Sequence, residues 1–204
     1  MRIFFVLFVG VLLFGAEVKL TKVYGKSGDI SVFVKKGVSG IVLCPYMNEK
    51  IICARAVSFG KKVSFYPVDD FQNDAYALPV VFPKAGDEIV FAKDYDRILI
   101  IAPNQEVYLK VKELYKNATV VSPDVFAAFL DGEVEKSDFI DFSKKMNIGR
   151  IIFVLDKIYE VDSFSFYAIK TKKAPITAHY KRAFFTYFKN FDIEPVDYKR
   201  FIKD

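Results

Sequence analysis

The sequence has few of the residues that enzyme active sites commonly use. Its 204 residues include one histidine, two cysteines and no tryptophan. The single histidine, His179, excludes multi-histidine metal sites and leaves any serine–histidine–aspartate triad dependent on that side chain. The chain has no nucleophile elbow and no phosphate-binding glycine loop. We therefore predict a protein without catalytic residues, metal or cofactor, and we expect no small-molecule substrate.

Acidic side chains provide one catalytic alternative. Asp69 and Asp70 are adjacent, and with other aspartates along the chain they could form the carboxylate pair of a hydrolase. Acidic residues in loops are more often simply solvated, and the Asp131-Gly132 turn lacks the alternating ligands of a calcium loop. A hydrolase is kept as an alternative to the non-enzymatic prediction.

The N-terminus has the pattern of a secretory signal. Arg2 gives a cationic start, an apolar run covers residues 3–14, and the small residues Gly15 and Ala16 follow. A membrane-spanning helix needs about 20 apolar residues, so this run does not favour a permanent span. We predict a signal peptide over 1–16, with an uncleaved membrane stub as the alternative. The mature chain would be exported to the periplasm or the outer cell surface.

The chain is aromatic and basic. It holds 22 Phe, 12 Tyr and 52% hydrophobic residues, which excludes disorder for most of its length. A net charge of +5 favours acidic protein partners or anionic membrane surfaces, whereas no nucleic-acid-reading motif is present. Basic residues are dense near the end of the chain, at Lys170, Lys172, Lys173, Lys181, Arg182, Lys189, Lys199, Arg200 and Lys203. This stretch is interpreted either as a solvated basic tail or as a partner-binding patch.

Cys44 and Cys53 could pair after export. They lie nine positions apart, and thiols usually form disulfides in an oxidising compartment. A two-residue loop at Asn48 and Glu49 would set Cys44 directly opposite Cys53, at a spacing that a disulfide can bridge. Pro45 would then occupy a hydrogen-bonded pair without an N–H to donate, which argues against this register. A disulfide and two buried thiols are therefore alternative predictions.

Residues 17–94 are predicted to form a β-rich domain. Short runs of β-branched and aromatic residues alternate with glycine turns, a spacing typical of a small barrel or sandwich. The runs are 18–24, 29–34, 40–43, 51–59, 62–66 and 88–92. A surface loop is expected over 69–83, where polar residues and prolines interrupt the pattern.

Residues 95–173 have the pattern of a mixed α/β domain. Strands are predicted at 97–102, 119–121, 150–155 and 158–161, with another near 164–171. Three helices are expected between strands, beginning at Asn104, at Ser122 followed by Pro123, and at Ser137. Side chains in the first turns are interpreted as helix caps, with a ligand site at the carboxyl edge of the sheet as the alternative. They are Gln105, Glu106 and Asp124.

Residues 174–204 are predicted to form a basic, aromatic C-terminal helix and tail. Over 180–191, aromatic residues recur at helical spacing on one face. This helix is expected either to dock on the globule or to meet a protein partner or anionic lipid. The candidate partner-binding residues are Lys181, Arg182, Phe184, Phe185, Phe188, Lys189 and Lys203. The predicted fold class is thus α+β or mixed: a small β-barrel or sandwich-like domain, a mixed α/β domain and a C-terminal amphipathic helix.

Several strings in the sequence coincide, in the same order, with those of one family. They include Ile101-Ala102-Pro103-Asn104, Pro123-Asp124-Val125-Phe126-Ala127-Ala128-Phe129-Leu130, Pro83-Lys84-Ala85-Gly86-Asp87-Glu88-Ile89-Val90 and Asn147-Ile148-Gly149-Arg150-Ile151-Ile152-Phe153. Through these strings the chain resembles the N-terminal domain of the plasminogen-binding protein PgbA family of Campylobacterota. The matches run over nearly the whole mature chain, and the first two strings are moderately specific because consecutive residue types coincide.

The resemblance implies an exported, surface-associated binding protein with no known catalytic activity and with plasminogen as its partner. Kringle modules of plasminogen recognise lysine side chains presented next to a carboxylate, and here Lys203 precedes Asp204. The alternative is a structural component of a periplasmic envelope or motility apparatus, with an envelope component as its partner.

Overall fold

The computed structural model describes residues 17–68, 81–174, 180–188 and 193–204. These residues build a closed β-barrel and an open five-stranded sheet, together with three α-helices. The mixed fold class predicted from the sequence is confirmed. The predicted signal peptide, Asp69, Asp70 and His179 lie outside the described residues.

The barrel is formed by the first five strands of the described chain. They are β1 (Glu17–Tyr24), β2 (Ser27–Val34), β3 (Ser39–Tyr46), β4 (Glu49–Tyr66) and β5 (Glu88–Phe91). All pairs are antiparallel in the order β1-β2-β4-β3-β5, and β5 pairs back to β1. Alternate residues of β1 and β3 are buried, as the alternation of apolar residues predicts.

Strand β4 is longer than the sequence suggests. The two runs predicted at 51–59 and 62–66 form one 18-residue strand that pairs with β3 through its first half and with β2 through its second. Gly60 lies between the two halves with φ +82°, a backbone conformation that side-chain-bearing residues rarely adopt. The strand therefore continues through the glycine turn and joins both sides of the barrel.

The hairpin between β3 and β4 carries the disulfide. Its turn is Met47 and Asn48, so the predicted loop at Asn48 and Glu49 is wrong by one residue. Cys44 faces Ile51 across the strands, and a register shift leaves Cys53 without a direct partner in the ladder. Cys44 and Cys53 nevertheless form a disulfide, with their Cα atoms 5.7 Å apart.

Pro45 fits this register for a simple reason. It faces Lys50, one position before the pair that closes the two-residue turn. Hydrogen-bonded and non-hydrogen-bonded pairs alternate along an antiparallel ladder, and the pair closing such a turn is hydrogen-bonded. Pro45 therefore occupies a non-hydrogen-bonded pair, where its missing N–H has no cost.

The second unit, here called the sheet unit, follows the barrel. Its strands are β6 (Arg97–Ile101), β7 (Thr119–Val121), β8 (Arg150–Val154), β9 (Lys157–Asp162) and β10 (Ala168–Lys173), in the order β10-β9-β8-β6-β7. Strands β7, β6 and β8 are parallel, whereas β9 and β10 are antiparallel to their neighbours. Its helices are α1 (Gln105–Leu114), α2 (Pro123–Phe129) and α3 (Lys136–Met146).

Two of the three helix starts match the sequence prediction. The Asn104 side chain accepts from the Val107 N–H at 3.0 Å, and the Ser122 side chain accepts from the Asp124 N–H at 3.2 Å. Both predicted starts are confirmed. The third is wrong: Glu135 replaces Ser137 as the cap of α3, because it forms a reciprocal capping box with residue 138.

Each face of the sheet has its own core. Helix α1 covers one face over the aliphatic side chains of β6 and β8, with Val107 and Val111 fully buried. Helices α2 and α3 cover the other face, where the core is aromatic. Its largest members are Phe126, Phe139, Phe142, Phe153, Phe166, Phe184 and Tyr198.

The C-terminal amphipathic helix is not present in residues 180–188, so that prediction is wrong for this stretch. Its N–H groups are bound by other parts of the chain: Ala183 donates to the Ile193 carbonyl at 3.2 Å and Phe185 to the Ala102 carbonyl at 2.7 Å. These bonds replace the local ladder of a helix. Residues 189–192 lie outside the described part of the chain, and a short 3-10 helix covers Tyr198–Phe201.

None of the helices in the described ranges has the length and apolar character needed to cross a bilayer.

Candidate partner-binding surfaces

A buried carboxylate joins the barrel to the sheet unit. Asp162, at the end of β9, is fully buried. One of its oxygens accepts from the Ser39 N–H at 2.8 Å, the Ser39 hydroxyl at 2.7 Å and the Tyr95 hydroxyl at 2.6 Å. The other accepts from the N–H groups of Phe164 at 3.0 Å and Ser165 at 2.8 Å. A buried charge with this many donors fixes the two units against each other.

Further contacts at this junction surround Tyr167. The Ser165 hydroxyl donates to the Gly37 carbonyl at 2.5 Å, and the Phe59 ring meets the Tyr167 ring edge-on with centroids 6.0 Å apart. A Cβ on Gly37 would lie 2.1 Å from the Tyr167 Cβ, so only glycine permits this approach. The junction is therefore closely packed and rigid.

Four lysines gather around this junction, and we call Lys35, Lys36, Lys136 and Lys203 the junction lysines. The ammonium groups of Lys36 and Lys203 lie 4.7 and 5.5 Å from the centroid of the Tyr167 ring. Lys136 lies 4.6 Å from the centroid of the neighbouring Phe166 ring. Cation–π contacts of this kind hold ammonium groups at defined positions.

Hydrogen bonds to main-chain oxygens hold two of these lysines. Lys35 donates to the carbonyl of Ile169, and Lys36 donates to the main-chain oxygen of Asp204 at 2.8 Å. Burial, and then the nearby charge of Lys203, lower the pKa of Lys136. Among the described residues none of the junction lysines forms an ion pair with a side-chain carboxylate. The cluster is therefore a concentration of positive charge with little compensation.

A second surface lies at the carboxyl edge of the sheet, where open α/β sheets usually bind ligands. Residues 180–188 of the same chain occupy this edge. The Tyr180 hydroxyl donates to the Val154 carbonyl at 2.7 Å, at the end of β8. Phe185 reaches the Ala102 carbonyl just beyond β6, and Phe184 is fully buried in the aromatic core.

Asp124 anchors this segment to the start of α2. Its Oδ1 accepts from the Thr186 hydroxyl at 2.5 Å and the Tyr187 N–H at 2.6 Å, and its Oδ2 accepts from the Ser122 hydroxyl at 3.0 Å. Burial alone would raise the pKa of Asp124, but these hydrogen bonds hold it below its ordinary value. Asp124 thus binds its own chain. Glu106 instead pairs with Lys110 on the surface of α1 at 2.7 Å.

The predicted partner-binding residues separate into distinct places. Phe184 is in the core, and Phe185 is half-buried with its ring 5.4 Å from that of Tyr108. Lys181, Arg182 and Phe188 are exposed at the carboxyl edge. Lys203 belongs to the junction lysines instead, and Lys189 lies outside the described residues.

The two basic surfaces are on opposite edges of the sheet. Lys203 forms an isolated parallel β-bridge with Tyr167. Tyr167 lies just before β10, beside the amino ends of β6 and β8. Residues 180–188 contact the carboxyl ends of those strands. A five-residue strand separates its ends by about 16 Å. The structure therefore does not bring Lys203 together with Lys181 and Arg182.

A buried charge cluster lies on the α1 face. Glu160, 3% exposed, pairs with Arg150 at 2.8 Å and Lys172 at 2.9 Å. Burial alone would raise the pKa of Glu160, but the hydrogen bond and charge of Lys172, with smaller contributions from Tyr115 and Arg150, hold it below its ordinary value. The negative charge of Glu160 is thus paired with the positive charges of Arg150 and Lys172 inside the sheet unit. No group of histidine, cysteine or acidic side chains suited to a metal ion occurs within the described ranges.

Sequence reasoning found Lys203 but missed Lys35, Lys36 and Lys136. Nothing local marks them, because positions 36, 136 and 203 meet only through the packing of the barrel against the sheet unit. The weak signal was Lys35-Lys36-Gly37, where two lysines precede a turn glycine.

Comparison with known proteins gives one match. A family model described as "Plasminogen-binding protein pgbA N-terminal" matches residues 16–201. No curated protein matches, and no solved structure matches.

Proposed function

The chain belongs to the plasminogen-binding protein pgbA N-terminal family, and from this membership we propose that it is an exported, surface-associated binding protein that captures plasminogen through its junction lysines. It acts without catalysis. The signal-like pattern at 1–16 and the disulfide between Cys44 and Cys53 support export, because disulfides persist in oxidising compartments.

The observation that carries this proposal is the cluster of Lys36, Lys136 and Lys203 around two aromatic rings. Kringle modules recognise lysine side chains beside a carboxylate, and the Asp204 side chain follows Lys203 directly. Lys36 and Lys203 are exposed and can be reached by a partner. A partner that binds Lys36 would replace its hydrogen bond to the Asp204 main-chain oxygen, but among the described residues it would displace no side-chain carboxylate.

The rigid junction favours recognition on energetic grounds. Lysine side chains lose rotamer freedom when a partner immobilises them, which costs about 0.5–1.5 kcal/mol each. Contacts with Tyr167 and Phe166 already restrict these side chains in the free protein. The junction thus reduces part of the entropic cost of binding.

Binding of plasminogen to the immobilised full-length chain tests the proposal. Replacing Lys36, Lys136 and Lys203 by glutamine should weaken binding by about tenfold or more. A lysine analogue in solution should compete with the unmodified chain. The matched control replaces Lys22, Lys61 and Lys116, which are exposed elsewhere, and removes the same charge.

Two results would count against the junction lysines. An equal loss in the test and control variants would show that total charge, rather than this cluster, governs binding. Binding that ignores the lysine analogue would show that kringle recognition is not involved.

A structural role in the envelope is a second candidate, supported by the exposed aromatic residues at the carboxyl edge. Tyr187 is 54% exposed and Phe188 is 48% exposed. Deleting residues 180–204 would not test this role, because Phe184, Tyr198 and Phe201 belong to the core. The informative change is Tyr187→Ser with Phe188→Ser, which should remove the chain from envelope complexes; unchanged co-purification would contradict a structural role for this surface.

A further inference from the structure

The carboxyl edge presents aromatic and basic side chains side by side. We call Lys181, Arg182, Tyr187 and Phe188 the aromatic–basic tip. All four are exposed, although the neighbouring residues Ala183, Phe184 and Thr186 are buried. The segment therefore faces the core with one set of side chains and solvent with the other.

The backbone of the tip is held firmly. Tyr187 donates its N–H to Asp124 at 2.6 Å, and Phe188 donates its N–H to the Thr186 hydroxyl at 3.2 Å. Arg182 donates to the Phe188 carbonyl at 3.4 Å. The two aromatic rings thus project from a fixed turn, and Val125, 44% exposed beside Asp124, extends the apolar surface.

We propose that the aromatic–basic tip contacts a membrane surface that carries anionic lipid headgroups. Tyrosine and other aromatic side chains are favoured at the depth of the headgroups, where a ring can be partly buried. Lys181 and Arg182 supply positive charge beside the rings, and each cation near an anionic surface strengthens attachment. Charge complementarity selects anionic over zwitterionic lipid.

Asp124 places one negative charge beside the tip, and the two positive charges of Lys181 and Arg182 outnumber it. Both oxygens of Asp124 accept hydrogen bonds from the chain itself, so this carboxylate is held in place by its own chain. Tyr187, Phe188 and Val125 form a small apolar area, which suits shallow interfacial contact. Attachment is therefore expected to be reversible and sensitive to salt.

Contact through the tip would also orient the molecule. The junction lysines lie at the amino edge of the sheet, so a chain attached through its carboxyl edge presents them away from the membrane. This orientation does not depend on which partner the junction lysines bind. Contact between the tip and a membrane can therefore be tested independently of plasminogen binding.

The absence of tryptophan gives a direct test. A single Phe188→Trp substitution in the full-length chain places one fluorescent reporter in the tip. The control, Phe33→Trp, places the reporter on the barrel, at a side chain that is 70% exposed. Each reporter senses its own surroundings, so comparing the two sites distinguishes contact through the tip from contact through another part of the chain.

Vesicles containing phosphatidylglycerol should shift the emission of the Phe188→Trp chain to shorter wavelength, and pure phosphatidylcholine vesicles should not. Adding Lys181→Gln and Arg182→Gln should weaken vesicle binding by about tenfold or more. High salt should have the same effect. The control reporter should stay unshifted.

Three results would overturn the inference. The Phe188→Trp emission could remain unchanged with anionic vesicles, which would leave the tip as a surface for a protein partner. The control reporter could shift equally, which would locate the contact elsewhere. Equal shifts with both kinds of vesicle would show that Lys181 and Arg182 do not select anionic lipid.

Discussion

The barrel and the sheet unit are stabilised in different ways. The barrel core is mainly small and aliphatic, and the Cys44–Cys53 disulfide links its adjacent strands β3 and β4. The sheet unit has aliphatic side chains under α1 and a continuous group of aromatic rings on the other face. A closed barrel needs little volume at its centre, whereas large rings fill the space between the open sheet and helices α2 and α3.

The two units also differ in how their strand edges are paired or covered. Closure of β5 onto β1 leaves the barrel without an exposed strand edge. The sheet unit is open, and residues 180–188 cover the carboxyl edge where ligands usually bind. The two basic surfaces lie at opposite edges of the sheet: the junction lysines are at the amino edge, and the aromatic–basic tip is at the carboxyl edge.

The largest expected effect comes from the aromatic core. Phe139 is fully buried, with its ring 4.6 Å from Phe126 and 5.3 Å from Phe153. Phe139→Ala should lower the free energy of unfolding by about 3–5 kcal/mol, because it leaves a cavity. Urea titration measures this loss. The control Leu109→Ala changes a side chain that is 44% exposed, and a similar loss in both variants would contradict the dominant role of the rings.

The second-largest expected effect comes from the junction between the barrel and the sheet unit. Asp162→Asn places an amide N–H₂ among groups that already donate to Asp162, and it should cost about 2–4 kcal/mol. Calorimetry should show one unfolding transition in the parent chain and two in the variant, as the barrel and the sheet unit lose their coupling. Tyr95→Phe, which removes a single donor, is the milder control. A single transition in Asp162→Asn would mean that other contacts couple the units.

Reduction of the disulfide should affect the barrel alone. Cys44 and Cys53 close a loop with a sequence separation of 9, and the chain-entropy estimate for so short a loop is about 2–3 kcal/mol. Amide hydrogen exchange after reduction should accelerate in β3 and β4 and remain unchanged in β6 and β8. Equal acceleration in both units would show that the barrel supports the sheet unit.

The smallest expected effect is a difference in stability between the two units at alkaline pH. Burial raises the pKa of Tyr198 and Tyr115 in the sheet unit above the ordinary 10.0. Their neutral forms therefore stabilise the fold fully below pH 10, and this contribution falls as the pH rises toward the folded-state pKa. The loss is about 1 kcal/mol for each phenol one pH unit above 10.

Hydrogen exchange at pH 9 and pH 11 checks this expectation. After correction for the intrinsic rate, protection should fall more in the sheet unit than in the barrel, whose Tyr24 and Tyr66 are 57% and 42% exposed. A larger loss of protection in the barrel would contradict the expected order.

Local patterns predicted much of this fold. Alternation identified most barrel strands, and aliphatic runs identified β6 and β8. Ser122 with Pro123 marked the start of α2, because a cap and its proline act within a few residues. These elements are set by neighbours in sequence, and sequence reasoning therefore reached them.

Tertiary contacts decided the rest. Aromatic spacing over 180–191 predicted a helix, but the N–H groups of Tyr187 and Phe185 donate to Asp124 and to the Ala102 carbonyl instead. Lys35, Lys36 and Lys136 were missed because they come together with Lys203 only when the barrel packs against the sheet unit. The register that would set Cys44 opposite Cys53 does not form, as Pro45 indicated, and the shift beside Cys53 leaves no mark in the sequence.

Lysine labelling with and without bound plasminogen tests the central claim most directly. Modification of each lysine in the full-length chain is measured by mass spectrometry, which reports the exposure of single ammonium groups. We predict that plasminogen protects Lys36, Lys136 and Lys203 and leaves Lys22, Lys61 and Lys116 reactive. Protection of Lys181 instead, or no change at the junction, would contradict the account.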